Sequence, residues 1–364
     1  MAAAYSPLHH LDLNPVPVRR SSERPILLVV VDTEEEFDWS KPFDRGSASS
    51  DSIPAQDHAH AVFDRYGIVP TYVVDYPVAS STSSAAYLRR LVDSGRAHFG
   101  THCHPWVTPP FDDEVNNFNS FHGNLSPELE AAKIQASTDM VAQAFGQAPQ
   151  IFKAGRYGVG ASTLSLIRRL GYRVDCSFVP ATSFERVHGP NFLGTPLHPF
   201  FLDTSQELLE VPVTVGYAGL AWWAGHQLGD LWDSPMLQRL RVQAVLSRLN
   251  LLWRARLSPE GFDAATQIRL IKALYAQGVR VFSLTYHSPS LKPGNTPYVR
   301  NEHDLQEFLS RIDQVCAYFR DELGGEFSTL LELRKDVATV PAMGASPRPL
   351  PAEGSPQPQR GTTA

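Results

Sequence analysis

Short apolar runs rich in β-branched residues recur along the chain at 26–31, 68–74, 97–101, 150–154, 173–178, 208–215 and 279–286. Each predicts a strand. Between them the apolar positions take helical spacing. Helices are predicted over 54–66, 84–94, 126–145, 162–170, 234–257, 263–277 and 303–323. The 126–145 segment has the clearest limits. Ser126 stands where an N-cap belongs, Pro127 at the first helical position and Gly146 just past the end. The alternation predicts parallel strands joined by crossovers, hence an α/β fold. Seven such units fit a barrel. The rival, a doubly wound open sheet, usually leads from its first strand into a glycine-rich turn. Here the first strand leads into Asp32-Thr33-Glu34-Glu35-Glu36.

Composition adds limits to this picture. Of 364 residues, 43% are hydrophobic and 19% charged, as in ordinary globular proteins. The chain divides into a flexible N-terminal lead (1–24), one barrel domain (25–335) and a disordered, proline-rich tail (336–364) that cannot bury enough apolar surface to fold. A net charge of −6, with no Lys/Arg run, argues against a nucleic-acid partner. No run approaches the roughly 20 apolar residues that span a bilayer, so no transmembrane segment is expected. The N-terminus also lacks the order of a signal peptide. Cys103, Cys176 and Cys316 are too few and too widely spaced for a disulfide framework, and a cytoplasmic location is expected. The sequence leaves the oligomeric state open.

Candidate chemistry gathers at the strand ends, where a (β/α) barrel assembles its catalytic face. Glu34, His102 and His104 form a ligand set of two imidazoles and a carboxylate, common for a catalytic divalent ion. His102 and His104 are two apart, so an extended backbone points both the same way. His122 competes for the third position. Asp32, two residues before Glu34, is the candidate general base. Arg156, between Gly155 and Tyr157-Gly158, is placed to orient Asp32 and keep it ionised. His287 closes the last strand as the candidate general acid. Asp175 either holds that imidazole or is a polar residue at a strand edge. Cys103, between the two histidines, reads as a small buried residue. Trp106 and Tyr157 are candidates for substrate contact. Trp106, like Trp222-Trp223, can stack on a sugar face, although large aromatics are more often core. The loop 105–125 and the segment 183–207 are expected to shape the cleft.

At these residues the chain resembles the polysaccharide deacetylase superfamily, the NodB-homology group related to carbohydrate esterase family 4. The resemblance covers about 25–335. Val31-Asp32-Thr33-Glu34 is similar to the family's first motif. His102-Cys103-His104-Pro105-Trp106 is similar to the second, with the histidines two apart rather than four. Gly155-Arg156-Tyr157-Gly158 is similar to the third without its proline. Asp175-Cys176-Ser177-Phe178-Val179-Pro180 is similar to the fourth, and Leu284-Thr285-Tyr286-His287 to the fifth. A subgroup with an Asp-Thr-Glu opening and a His-x-His-Pro-Trp segment looks closer still. The resemblance implies a distorted (β/α)7 barrel and a hydrolase of carbon–nitrogen bonds that removes an N-acetyl group from an amino sugar or glycan precursor. It also implies a divalent metal cofactor, zinc first among the candidates, with Asp32 as base and His287 as acid. Its carbohydrate substrate would suit surface-polysaccharide biosynthesis.

Two other readings compete. The departures in the second and third motifs suit a catalytically degenerate carbohydrate-binding or scaffold protein on the same barrel. A glycosidase using two of the carboxylates leaves the histidine pair and Arg156 without a role.

Overall fold

The computed structural model describes residue 13 and residues 15–339. Its strands in chain order are β1 (Val16–Arg19), β2 (Ile26–Thr33), β3 (Thr71–Val74), β4 (His98–Cys103), β5 (Ile151–Ala154), β6 (Val174–Asp175), β7 (Phe200–Phe201), β8 (Leu209–Glu210), β9 (Val215–Ala218), β10 (Trp253–Arg256), β11 (Val281–His287), β12 (Glu326–Phe327) and β13 (Ala338–Thr339). The order β11-β2-β3-β4-β5-β6-β8 is parallel throughout. These seven strands fall within or beside the seven predicted runs, and the sheet curls into a distorted (β/α) barrel. Its first and last parallel strands, β11 and β8, do not pair directly. The seam is bridged by separate hydrogen bonds. The Ser283 N–H donates to the Thr214 hydroxyl at 2.8 Å. The Leu257 N–H donates to the Thr214 carbonyl at 2.9 Å, and the Thr285 N–H to the Leu257 carbonyl at 3.1 Å.

Strand parity sets what the barrel encloses. All eight residues of β2 are buried, as expected of a parallel strand covered on both faces. Ile26, Leu28 and Val30 point inward with Val73, Ile151, Val174, Leu209 and Val281. Leu27, Val29 and Val31 point outward into the core beneath the helices. The helix Leu330–Asp336 lays Leu330 and Leu333 against the start of the inward set. At the other end the inward phase runs on into polar residues: Asp32 and Glu34 after Val30, Lys153 after Ile151, and His287 after Val281, Ser283 and Thr285. The functional end of the barrel thus continues the core in the same side-chain alternation.

The best-marked helix forms as predicted. Pro127–Phe145 is capped by the Ser126 hydroxyl, which accepts from the Leu129 N–H at 3.3 Å, and it stops at Gly146 in the left-handed conformation. Other expectations need correction. The single helix over 234–257 is two short helices, Pro235–Arg239 and Val242–Arg248, followed by β10. Arg241 and Asn250 have φ of 53° and 51°, which breaks helical continuity. Trp253-Arg254-Ala255-Arg256 alternates buried with half-buried, a period of two rather than 3.6. The predicted strand over 208–215 is divided between β8 and β9, and β9 pairs antiparallel with β10. Within the segment read as a flexible lead, Val16–Arg19 is a strand. It pairs with β7 and with β13, itself inside the segment read as a tail. Asp336, also read as tail, ends the helix Leu330–Asp336, and residues 1–12, 14 and 340–364 lie outside the described residues. No helix among the described residues is long and apolar enough to cross a membrane.

Candidate active site

Register performs the first assembly step. In the β2–β11 ladder His287 lies opposite Asp32, and in the β4–β5 ladder His102 lies opposite Lys153. Asp32 is 4% exposed. Its Oδ1 accepts from Lys153 Nζ at 2.5 Å, and its Oδ2 lies 3.7 Å from His287 Nε2. Burial by itself would raise this carboxyl. The Lys153 ammonium, with help from His102 and His287, outweighs burial and holds Asp32 at about 2. The Asp32 carboxyl is therefore favoured in its ionised form at neutral pH.

His287 is held from its other side. Its Nδ1 lies 2.7 Å from Glu260 Oε2, while Glu260 Oε1 accepts from the His287 backbone N–H at 3.0 Å and the Ser290 hydroxyl at 2.6 Å. Burial works to lower the imidazole, but the Glu260 charge and hydrogen bond prevail and raise it. The protonated form of His287 is thereby favoured, and its Nε2 faces Asp32.

Glu34, His102 and His104 converge in a different manner. His102 Nδ1 lies 2.9 Å from the Lys153 carbonyl oxygen. A carbonyl only accepts, so Nδ1 carries the proton and Nε2 the lone pair. His104 Nδ1 lies 2.8 Å from Glu35 Oε2, which fixes the same tautomer. The two bare Nε2 atoms are 3.1 Å apart. Glu34 Oε2 is 3.5 Å from that of His104 and 3.8 Å from that of His102. Burial keeps both imidazoles neutral, His102 well below its usual range and His104 at about 4. Burial and the charges of Glu35 and Asp32 push Glu34 upward, and its Oε1 is buried without a hydrogen-bond partner. Lone pairs facing one another without a proton are costly in a dry site. Two neutral imidazoles and a carboxylate are a donor set that fits a divalent cation, which removes that cost.

Behind the ligands stands a supporting layer. Glu35 Oε1 accepts from Trp106 Nε1 at 2.8 Å, and the Glu35 N–H donates to Asp75 Oδ2 at 2.7 Å. The Trp106 ring stacks on His104 with centroids 4.2 Å apart. Lys133 is fully buried and ties down the loop that carries Trp106, donating to the carbonyls of Pro105, Thr108 and Pro110 at 2.7–2.9 Å. A Cβ on Gly155 would overlap the Cys103 carbonyl and the His104 ring, so only glycine leaves that ring in place.

The other sequence candidates divide. Tyr157 lines the cleft. Trp106 borders it but is 1% exposed and engaged by His104 and Glu35. Arg156 does not reach Asp32. It donates to Asn117 Oδ1 at 3.0 Å and to Ser120 Oγ, and lies over the rings of Phe121 and Phe43. Lys153 braces Asp32 instead. Asp175 does not hold His287, because Val174 and Cys176 face inward and the residue between them faces out. It accepts from Ser177 Oγ at 2.5 Å and lies opposite Glu210 in the β6–β8 ladder. Glu260 holds the imidazole in its place. His122 is paired with Glu130 at 2.9 Å, apart from the Glu34 cluster. Cys103 is a fully buried free thiol, as expected. Trp222 and Trp223 are exposed on the helix Trp222–Leu228 and do not line the cleft.

Sequence reasoning missed Lys153, Glu260 and Glu35. Lys153 carried a usable signal, since it follows Ile151 on the inward face of a buried strand. Glu260 lies on the turn after the barrel seam, and no periodicity marks it. Above these groups opens a cleft of about 350 Å³, walled by Phe37, Trp39, Phe43, Phe121, Tyr157 and Phe184, with Arg156, Arg256 and Tyr298. Phe121 and Phe184 come from the two segments expected to shape it.

No family model matches the chain, and no curated protein matches it either. Solved structures do. A "putative polysaccharide deacetylase" from Mycobacterium smegmatis aligns with a TM-score of 0.51 at 14% identity, over 89% of this chain and 94% of that one. PuuE allantoinase aligns with a TM-score of 0.51 at 14% identity, over 92% and 97%. At these identities the likeness is one of architecture: the chain has the distorted-barrel fold of these two proteins over nearly its whole described length.

Proposed function

We propose that this chain is a metal-dependent hydrolase that removes an acyl group, acetyl in the simplest case, from the nitrogen of a sugar. One observation carries the reading: Asp32 and His287 face each other at 3.7 Å beside three convergent ligand atoms, at the floor of an aromatic cleft. Glu34, His102 and His104 would hold the metal, zinc by the chemistry of the donor set. When bound, a divalent ion supplies Lewis acidity for the acyl carbonyl and makes water more acidic. The protein's own groups handle the protons. Asp32 Oδ2 takes one from the attacking water as the new C–O bond forms. His287 Nε2 gives one to the nitrogen as the C–N bond breaks, so that a carboxylic acid and an amine are the products. Lys153 keeps Asp32 charged in the ground state, and Glu260 keeps His287 charged and aimed.

The two-residue spacing of the histidines does not weaken this reading. Their Nε2 atoms meet, which supports an enzyme over a degenerate binder. A protein described as a "putative polysaccharide deacetylase" shares the fold, and the three free, buried cysteines agree with a cytoplasmic setting. The test is acetate release from N-acetylated sugars by the freshly purified chain. We expect activity that disappears on chelation and returns with one equivalent of zinc or cobalt. Undiminished turnover in metal-free protein, or one tightly bound metal with no hydrolysis of any acylated sugar, would reject it.

A further inference from the structure

The cleft holds more positive charge than its own protein neutralises. Arg156 and Arg256 both line it and both are half-buried. Among the described residues neither has a carboxylate within ion-pair distance, unlike the neighbouring Arg254, which is paired with Asp233 at 2.7 Å. Lys41, also on the cleft wall, is matched by Asp38 at 3.1 Å. A guanidinium carries five N–H donors. Arg256 spends one on the protein, donating from Nη1 to the Tyr157 hydroxyl at 2.8 Å. Arg156 spends its Nη1 on two neutral oxygens, Asn117 Oδ1 and Ser120 Oγ. The two arginines form one wall. Arg256 lies over the Tyr157 ring at 5.2 Å from its centroid, and Arg156 is the preceding residue.

This wall is built rather than incidental. Arg156 and Tyr157 have consecutive positive φ values, 51° and 60°, a backbone that non-glycine residues adopt at a cost. Gly155 before them is held against Cys103 and His104, and Phe43 and Phe121 lie beneath the Arg156 guanidinium. Arg256 closes β10, one residue before Leu257 bridges the barrel seam, so its position is tied to β11 and hence to His287. Fixed, partly desolvated guanidiniums with spare donors match the fork geometry of carboxylate and phosphoryl groups.

We propose that Arg156, Tyr157 and Arg256 anchor an oxyanion of the substrate, so that the acylated nitrogen reaches Asp32 and His287 on a molecule that also bears a carboxylate or a phosphoryl group. The position of the acyl group rests on the hydrolase reading above; the anchoring does not. Three probes separate the cases: N-acetylglucosamine, N-acetylglucosamine 1-phosphate and N-acetylmuramic acid. Each is titrated calorimetrically into the full, zinc-loaded chain, and amine release is followed in parallel.

At least one charged probe is expected to bind about ten- to a hundredfold more tightly than the neutral sugar, the range for hydrogen bonds to a charged group. The preference should shrink with added salt. Arg256→Gln and Arg156→Gln should collapse the charged-over-neutral ratio, and Arg256→Lys should restore part of it. Selective binding of the phosphate identifies a phosphoryl substrate, and selective binding of the muramic acid a carboxylate. Equal affinity for all three, no binding of any, or a preference that survives both glutamine variants overturns the anchor. A charged preference without amine release keeps the anchor and removes the hydrolase reading.

Discussion

Two clusters of buried carboxyl groups sit at strand ends of this barrel, and they solve the same electrostatic problem in opposite ways. Asp175 and Glu210 face away from the barrel interior on adjacent strands. Burial raises both, Asp175 to about 6 and Glu210 well above the usual range. Each is tied to backbone or hydroxyl donors: Ser177 Oγ donates to Asp175, and the Phe178 N–H donates to Glu210 at 3.1 Å. Their remaining oxygens lack another donor, and one proton held between the two carboxyls satisfies both. That cluster is closed. Glu34, His102 and His104 are not, because second neighbours occupy the imidazole protons and leave three lone pairs facing inward. The difference teaches that a buried acid at a strand end is not in itself a site. What distinguishes a site is a set of acceptor atoms aimed at one point while second neighbours hold the imidazole protons elsewhere.

The contrast can be broken experimentally. The largest effects belong to the open cluster and the groups beside it. Glu34→Gln should abolish both metal content and turnover, read by elemental analysis and acetate release. Asp32→Asn should keep the metal but lower kcat by about 10²–10⁴-fold, the usual worth of a general base. Loss of metal in Asp32→Asn would mean that the carboxylate is a ligand and the division of roles is wrong.

Lys153→Met should come next. It leaves Asp32 buried without its partner, costing about 3–5 kcal/mol of stability in denaturant titration. In that variant the carboxyl rises from about 2, so the acid limb of the rate profile should move up.

Glu35→Gln weakens the support of His104 without touching the cleft. It should cost about 10–100-fold in metal affinity, measured by competition with a chelator dye. Glu260→Gln acts on the acid. His287 is raised in the folded chain, so its protonated form persists above the ordinary imidazole value and is lost as pH rises through the raised one. The alkaline limb of kcat/KM should therefore lie above about 6.5 and move down in Glu260→Gln.

The smallest effect on turnover is expected at the closed cluster. Asp175→Asn should leave kcat and metal content unchanged. Because folding raises this acid, the folded state holds its proton longer than the unfolded one, and stability declines as pH climbs through about 6. The substitution should flatten that decline in thermal melts between about pH 4 and 6.5. Loss of turnover in Asp175→Asn with metal intact would erase the distinction between the clusters.

Much of this was legible in the sequence, and parity explains both the successes and the errors. The runs before Asp32 and His287 are long enough to carry the inward phase to their ends, so both residues land on the floor. The same count applied to Val174-Asp175-Cys176 turns Asp175 outward, and applied to Ile151-Phe152-Lys153 turns Lys153 inward. Motif position favoured Arg156 over Lys153, but two left-handed residues redirect the arginine toward Phe121. Glu260 was out of reach because it arrives on a turn after an antiparallel hairpin, and its partnership with His287 depends on tertiary closure of the seam. The helix expected over 234–257 failed where left-handed residues interrupt a sequence of good helix formers.

The bridged seam has a mechanical meaning. In the adjacent β2–β11 ladder the two strands are zipped along seven rungs, whereas here Thr214 and Leu257 supply isolated tethers. Amide protons at Ser283 and Thr285 should exchange with solvent sooner than those of Leu28 and Val30 in the adjacent ladder.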